Sequence, residues 1–335
     1  MNAPLTDALA APSIARVLLQ AACAGALVLL PAGCGGGESP AEGGGETAEA
    51  QLVVEWHDEA QTAKKAEGRM AGGQREGEWT WWYDNGQVAV RGSFEGGKES
   101  GSWLEYHPNG QKKSEVTWLE GLRDGELVQW HENGREAARG RLERGVAVGQ
   151  HASWYPDGKP EKEQTFVAGK LEGPQTSYHP TGQKRTEGSC KGGVQVGEWV
   201  SYHPDGVLAM RGSYDDAGQP TGSWEYKHPN GADLMVVPHE GGRPSGVVVR
   251  MHADGTLESR LNYVDGQLDG PHEVTYPGGQ LRSRGAYAGG ARVGVWEYYN
   301  QDGSLNPNLS GTYEANSRVK DTQGNPVAPG APAGN

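Results

Sequence analysis

Residues 77–86 and 101–110 read GEWTWWYDNG and GSWLEYHPNG, and related stretches recur through most of the chain. Each stretch opens and closes with glycine and carries aromatic residues in between. The opening glycine returns every 24 residues, except for one interval of 25 that places an insertion near Asp215–Gly218. A fixed period of this size is typical of repeat proteins, in which each unit packs only against its neighbours. The opening glycines are Gly77, Gly101, Gly125, Gly149, Gly173, Gly197, Gly222, Gly246, Gly270 and Gly294.

Each unit is predicted to be a β-hairpin. Turn sequences such as Pro108-Asn109-Gly110 follow the aromatic strand, and a second short strand comes next. Proline presets φ at the first turn position, asparagine suits the second, and glycine accepts a left-handed third position. This pattern predicts a type I turn closed by a glycine bulge, which gives the closing glycines a structural role. They are Gly86, Gly110, Gly134, Gly158, Gly182, Gly206, Gly231, Gly255, Gly279 and Gly303.

The composition of the 335 residues favours such an array over an ordinary globule. Glycine (54) and proline (20) are abundant, hydrophobic residues make up 35 %, and the rings are mainly Trp (11) and Tyr (13). Frequent glycine and proline disfavour helices. We therefore predict an all-β fold: an elongated single sheet of about ten antiparallel hairpins, roughly 95 Å long at the usual strand spacing.

The net charge of −13 excludes some partners. The sequence has no basic stripe that could neutralise phosphates, so nucleic acid is not an expected partner. Anionic lipid surfaces are disfavoured for the same reason.

The N-terminal segment resembles an export signal. The apolar run Val17–Leu30 is too short to span a bilayer as a helix, which needs roughly 20 residues. Pro31-Ala32-Gly33-Cys34 follows and resembles, in part, the lipobox of bacterial lipoproteins. This resemblance implies that residues 1–33 are a signal peptide, that Cys34 carries the lipid, and that the protein lies in the cell envelope. It implies the outer membrane where one exists, facing the periplasm or the surface. A buried helix followed by a loop cysteine is the alternative.

Beyond Cys34, residues 34–67 read as an acidic Gly/Glu tether. Within it, Gln51–Asp58 (QLVVEWHD) is a possible N-terminal cap strand, and Gly311–Glu314 is its C-terminal counterpart. Residues 315–335 are expected to form a disordered tail.

The pattern G-x-W-x-x-Y-x-x-N-G, followed by Gly-Gly, resembles the MORN-repeat variant of bacterial proteins. The resemblance covers residues 68–314 and implies consecutive hairpins in one twisted sheet. Many members carry an antitoxin-like label, and other MORN proteins are scaffolds near membranes. Five units depart from the pattern where the tryptophan is expected; the residues there are Leu127, His151, Gln175, Val248 and His272.

No catalytic motif is present: the sequence contains no G-x-S-x-G, H-E-x-x-H, C-x-x-C or P-loop. We therefore expect no enzyme activity and no cofactor. Cys190 stands in a column of aromatic residues and is expected to be a small core residue. Six histidines share the column before the turn, but their expected separation of about 9.6 Å argues against a shared metal ion. These six are His107, His131, His179, His203, His228 and His252.

Tryptophan and tyrosine occupy two columns, led by Trp79 and Trp82, and the simplest interpretation is that they form the core. The first unit alone adds Trp81, so Trp79, Trp81, Trp82 and Tyr83 form our candidate partner-binding site. Packing of Val54 and Trp56 over Trp81 is the competing interpretation. The turn also predicts a register that pairs Trp79 with Arg91, and Trp199 with Arg211.

Together these features predict a non-enzymatic, lipid-anchored protein that presents an extended surface to an unidentified protein partner. The alternative is a binder of glycan or cell wall, because aromatic hairpins also resemble choline-binding repeats. Those repeats run nearer 20 residues per unit. A cytosolic antitoxin role conflicts with the export signal.

Overall fold

A computed structural model describes residues 49–327 of the chain. In this range the chain forms 25 β-strands and no helix, so no helix long and apolar enough to cross a membrane occurs among the described residues. Strands adjacent in sequence pair antiparallel throughout, which makes one open sheet in hairpin order. The predicted all-β, elongated repeat array is confirmed. The predictions for residues 1–33, for Cys34 and for the first part of the tether lie outside the described residues.

The first thirteen strands are β1 Gln51–Trp56, β2 Lys64–Ala71, β3 Gln74–Trp82, β4 Val88–Glu95, β5 Lys98–Tyr106, β6 Lys112–Leu119, β7 Leu122–Trp130, β8 Glu136–Glu143, β9 Val146–Trp154, β10 Pro160–Val167, β11 Lys170–Leu171, β12 Gly173–Tyr178 and β13 Lys184–Lys191. The remaining twelve are β14 Val194–Tyr202, β15 Leu208–Tyr214, β16 Pro220–Lys227, β17 Asp233–Glu240, β18 Arg243–Pro244, β19 Gly246–Met251, β20 Leu257–Val264, β21 Gln267–Thr275, β22 Leu281–Ala288, β23 Ala291–Tyr298, β24 Gly311–Glu314 and β25 Ser317–Lys320.

The turn within each unit has the predicted hydrogen bonds. In the second unit, the Gly110 amide donates to the His107 carbonyl (2.8 Å), and the His107 amide donates to the Gln111 carbonyl (2.8 Å). All ten closing glycines have positive φ, between 78° and 93°. A residue with a Cβ is strained in this region, so glycine is the residue that the turn requires.

The turns between units are shorter. Gly96 and Gly97, for example, both have positive φ, as a two-residue hairpin turn with the strand twist demands. The insertion predicted near Asp215–Gly218 lies in one of these connections. There the Asp215 amide donates to the Gln219 carbonyl (2.9 Å), so the added residue converts a two-residue turn into a three-residue one.

The predicted register was wrong by one residue. Trp79 pairs with Gly92, and Arg91 lies opposite Thr80; in the same way Trp199 pairs with Gly212. The cause is a β-bulge between Trp81 and Trp82, which recurs at the same place in the other units and shifts all later pairs by one. The expected stacking of arginine on tryptophan across these pairs is therefore absent.

The two aromatic columns lie on opposite faces of the sheet. Trp79 and Trp81 share one face, here called face A, and Trp82 projects from the other, face B, because successive strand residues alternate. Face A holds the core, with Trp79 at 2 % exposure and Trp296 at 1 %. The sheet is a single layer, so this core is a stripe along one face.

Each tryptophan of the first column covers a glycine in the preceding strand. A Cβ added to Gly92 would overlap the Trp103 indole, and the Trp103 Nε1–H donates to the adjacent Ser93 carbonyl (3.3 Å). The same arrangement joins Trp199 to Gly188, with a 3.1 Å bond to the Ser189 carbonyl. The other pairs are Trp79 with Gly68, Trp224 with Gly212 and Trp296 with Gly285. The indole fits because glycine leaves the backbone bare beneath it.

The two ends of the sheet differ from the predicted boundaries. Pairing starts with β1, in the segment expected to form a cap strand, and β2 begins ahead of residue 68. At the C-terminal end, the segment expected to be a disordered tail contains β25, and Lys320 bridges to Pro326. The turn that starts at Asp321 supports this return, since its carboxylate accepts from the Gln323 and Asn325 amides.

Candidate functional site

The structure separates the four rings of the candidate binding site. Trp79 is buried on face A and Trp81 is half-buried beside it, with ring centroids 5.8 Å apart. Trp82 lies on face B. Tyr83 stands at the turn, where its hydroxyl donates to the Tyr106 carbonyl (2.7 Å). These residues therefore do not form one surface, and only Trp81 remains a candidate contact on face A.

Trp81 belongs to a cluster that sequence reasoning did not assemble. Its ring lies 5.7 Å from Trp103, and Trp103 lies 5.9 Å from Trp118. Phe94 packs edge-on against both Trp81 (6.2 Å) and Trp103 (5.2 Å). The three tryptophans are half-buried, so each leaves part of its ring in solvent.

Two arginines flank this cluster. The Arg75 guanidinium lies 4.7 Å from the Trp79 ring and 5.5 Å from the Trp81 ring, and the Arg123 guanidinium lies 5.3 Å from the Trp118 ring. Neither arginine forms an ion pair with a carboxylate among residues 49–327. We call Trp81, Trp103, Trp118, Arg75 and Arg123 the aromatic patch. Aromatic residues and arginine are the residue types enriched at protein interfaces.

The cap strand does not cover Trp81 in the way considered from the sequence. Val54 pairs with Glu67 and Trp56 with Lys64, which places both on face B. Val53 is the β1 residue that packs against the core around Trp79 on face A. The interpretation that Val54 and Trp56 bury Trp81 was therefore wrong, because it depended on the alternation of β1.

Face B carries a second row of rings near the turns, all of them half-buried. Lys64 lies 5.8 Å from the ring of Trp82 and Lys112 lies 5.5 Å from that of Trp130. Exposed ion pairs such as Arg211–Glu198 (3.4 Å) occupy the rest of the face. The face B row consists of Trp82, Tyr106, Trp130, Trp154, Tyr178 and Tyr202.

The histidine column forms a ladder between units. The Nε2 atoms of His107 and His131 each lie 2.8 Å from a carbonyl of the following unit, those of Trp130 and Trp154. Tyrosine makes the same connection where it replaces histidine, as in Tyr155 with the Tyr178 carbonyl (2.7 Å). The sequence held a signal for this role, because histidine and tyrosine alternate in one column. Among the described residues, no three metal-ligating side chains converge on one point.

Cys190 is a core residue on face A, with 4 % exposure. Burial raises the pKa of its thiol, which disfavours the nucleophilic thiolate.

Comparison with known proteins gives a repeat-level match. Three segments match the family model described as MORN repeat variant, namely residues 75–95, 99–120 and 195–216. No curated protein matches the chain.

Solved structures give only a weak likeness. The chain is similar to the TcdB2-TccC3 crystal structure at 14 % identity and a TM-score of 0.18, covering 81 % of this chain and 15 % of that chain. It is also similar to a Photorhabdus luminescens Tc holotoxin pore, at 14 % identity and a TM-score of 0.16, covering 80 % and 15 %. The chain thus spans less than a fifth of these proteins, and a likeness at such TM-scores carries no functional argument. The segments around Trp79, Trp103 and Trp199 are similar to MORN repeat variants, and each contains a tryptophan that covers a glycine.

Proposed function

We propose that this protein is a non-enzymatic repeat scaffold, anchored in the cell envelope through a lipid on Cys34, that binds a protein partner on face A. The matched repeats support the coarser part of this proposal, a repeat scaffold for binding. The single continuous sheet supports it too, because an array of hairpins displays an extended surface rather than an enclosed site.

The aromatic patch is the observation that carries the choice of face. Three stacked, half-buried tryptophans meet two arginines that lack carboxylate partners among the described residues. Rigid aromatic anchors at a patch centre typically contribute about 2 kcal/mol or more to binding. The arginines favour a partner that supplies carboxylates, since charge-assisted bonds to guanidinium are strong when water is excluded.

A pair of matched variants tests the partner-binding surface. Trp81→Ser removes a ring of the patch on face A, and Trp130→Ser removes a half-buried ring of the same type on face B. We expect the first variant to lose capture of envelope proteins in cross-linking with the full chain, and the second to retain it. Thermal melts of both variants control for folding. Equal capture by Trp81→Ser and wild type, with both folded, would contradict the proposal.

The lipid anchor is tested separately by palmitate labelling. Wild type is expected to incorporate label and Cys34→Ala to lose it. Cys190→Ala is the matched control, because Cys190 is buried and keeps a raised thiol pKa. Equal labelling of Cys34→Ala and wild type would remove the anchor from the proposal and leave the binding surface unaffected.

A glycan or cell-wall ligand is a second candidate, favoured by the face B row. Its six rings recur every second strand, at about 9.6 Å, along one side of the sheet. Such a ladder can stack on successive sugars of a linear polymer. The same two variants discriminate the candidates, since a glycan ligand predicts that Trp130→Ser loses co-sedimentation with purified cell walls while Trp81→Ser retains it.

A further inference from the structure

The C-terminal end of face A contains a cavity of about 490 Å³. Its floor is the sheet, with His272, Ser283 and Trp296 among the lining residues. Its other side is the segment 300–310, which leaves the sheet after Tyr299 and places Asn306 and Leu309 against the floor. A volume of this size fits a small molecule.

The covering segment is held in place by several bonds. The Asn306 amide donates to the Tyr298 carbonyl (2.7 Å), and the buried Ser310 hydroxyl accepts from the Tyr298 amide (2.9 Å). Arg318 donates to the carbonyls of Asn308 and Pro307, both at 2.6 Å. The cavity is therefore preformed, which lowers the entropy cost of binding.

The lining is basic and aromatic. Arg282 and Arg292 both line the cavity, and no acidic residue does. Arg282 makes only a ring contact, at 5.7 Å from Tyr276, and Arg292 donates to the Tyr298 hydroxyl at 3.0 Å. Neither arginine is paired with a carboxylate among residues 49–327, in a chain whose net charge is −13. Such a site attracts an anion that the rest of the surface repels.

One buried polar atom in the cavity wall has no partner. His272 Nδ1 makes no hydrogen bond, and its Nε2 lies 3.5 Å from the Ser283 hydroxyl. A buried polar group normally has a partner, so this atom is available to a ligand.

We propose that this cavity binds a small planar carboxylate. The guanidinium groups of Arg282 and Arg292 hold the carboxylate, because their planar fork matches its two oxygens. The flat body of the ligand packs against the rings of Tyr276 and Tyr298, and His272 Nδ1 bonds to a polar substituent. This site is separate from the aromatic patch and from the face B row.

Equilibrium dialysis of the full chain tests the proposal, with 4-hydroxybenzoate as the probe. We expect saturable binding that Arg282→Gln and Arg292→Gln each weaken at least about tenfold, the usual effect of losing a charge-assisted bond. Arg123→Gln is the matched control, because Arg123 also lies over a ring but outside the cavity. It should bind as wild type does.

Two further probes complete the test. The neutral amide 4-hydroxybenzamide should bind at least tenfold more weakly, and inorganic phosphate should bind more weakly than the planar carboxylate. Arg292 also contacts the core rings of Trp296 and Tyr313, so Arg282→Gln decides if Arg292→Gln unfolds. No saturable binding at millimolar probe, equal weakening by Arg123→Gln, or phosphate binding as tight as that of 4-hydroxybenzoate would overturn the proposal.

Discussion

The second and fifth repeat units have the same hairpin but different packing on face A. In the second unit Trp103 covers Gly92 and bonds to the backbone beside it. In the fifth unit Gln175 takes the tryptophan position and Gln164 takes the glycine position. Gln175 is buried to 6 % exposure, and its Oε1 atom has no hydrogen-bond partner.

The difference shows which part of the fold each interaction specifies. Both units keep the turn glycine, the bulge and the backbone ladder, so these features suffice for the hairpin geometry. The tryptophan adds burial and a hydrogen bond, and it requires glycine in the strand before it. Where tryptophan is absent, larger residues fill both positions, as Val116 and Leu127 or Val237 and Val248 do.

The largest expected effect comes from filling the space beneath a tryptophan. Gly92→Val should cost about 3 kcal/mol of unfolding free energy, because the new side chain displaces the Trp103 indole and breaks its bond to the Ser93 carbonyl. Urea denaturation measures this. The double variant Gly92→Val/Trp103→Val should recover part of the loss, since it copies the valine pair of a later unit.

The reverse exchange tests the same rule in the fifth unit. Gln175→Trp alone should destabilise the protein, and adding Gln164→Gly should reverse the sign of that change relative to Gln164→Gly alone. Additive free energies in both exchanges would show that the two positions are not coupled.

The next effect concerns pH and is expected in a unit without tryptophan. Burial lowers the pKa of His272 to about 4, from 6.5 in the unfolded chain. Between these values the unfolded state binds more protons, so stability should fall as the pH drops from about 6.5 to about 4, by about 2 kcal/mol. His272→Leu should show a smaller loss over this range in pH-dependent urea denaturation. Parallel curves for the two proteins would contradict the burial of this ring.

A turn substitution should affect both kinds of unit alike. Gly110→Val and Gly182→Val each force a β-branched residue to positive φ, at a cost of about 1.5 kcal/mol. Thermal denaturation should give similar losses in the second and fifth units. Asparagine at either position is the control, because it tolerates this conformation better. A loss confined to the second unit would tie the turn to the tryptophan.

The smallest effect is expected from the ladder. His107→Leu and His179→Leu each remove a bond of 2.8 Å to the next unit, worth about 1 kcal/mol. Tyrosine occupies this position in other units and reaches the same carbonyl, so His107→Tyr should be nearly neutral in the same denaturation assay. Loss of stability in His107→Tyr equal to that in His107→Leu would indicate that the ring, not the bond, matters.

The sequence by itself determined the repeat, the hairpin and the turn. Glycine at fixed spacing reports a backbone that must adopt positive φ, and this requirement is local, so it can be derived from residues such as Pro108-Asn109-Gly110. The insertion near Asp215–Gly218 was found for the same reason. A further pattern was present but unused: glycine lies eleven residues before Trp79, Trp103, Trp199 and Trp296, and twelve before Trp224.

Only the tertiary structure decided the register, the grouping of side chains and the cavity. The bulge between Trp81 and Trp82 adds a residue that no side chain announces, and one residue reverses which face every later side chain occupies. The aromatic patch joins side chains from strands that are adjacent only after pairing. The cavity at His272 depends on a segment, 300–310, that leaves the sheet where the period predicts another strand. Such features follow from contacts between distant parts of the chain, which local sequence pattern does not encode.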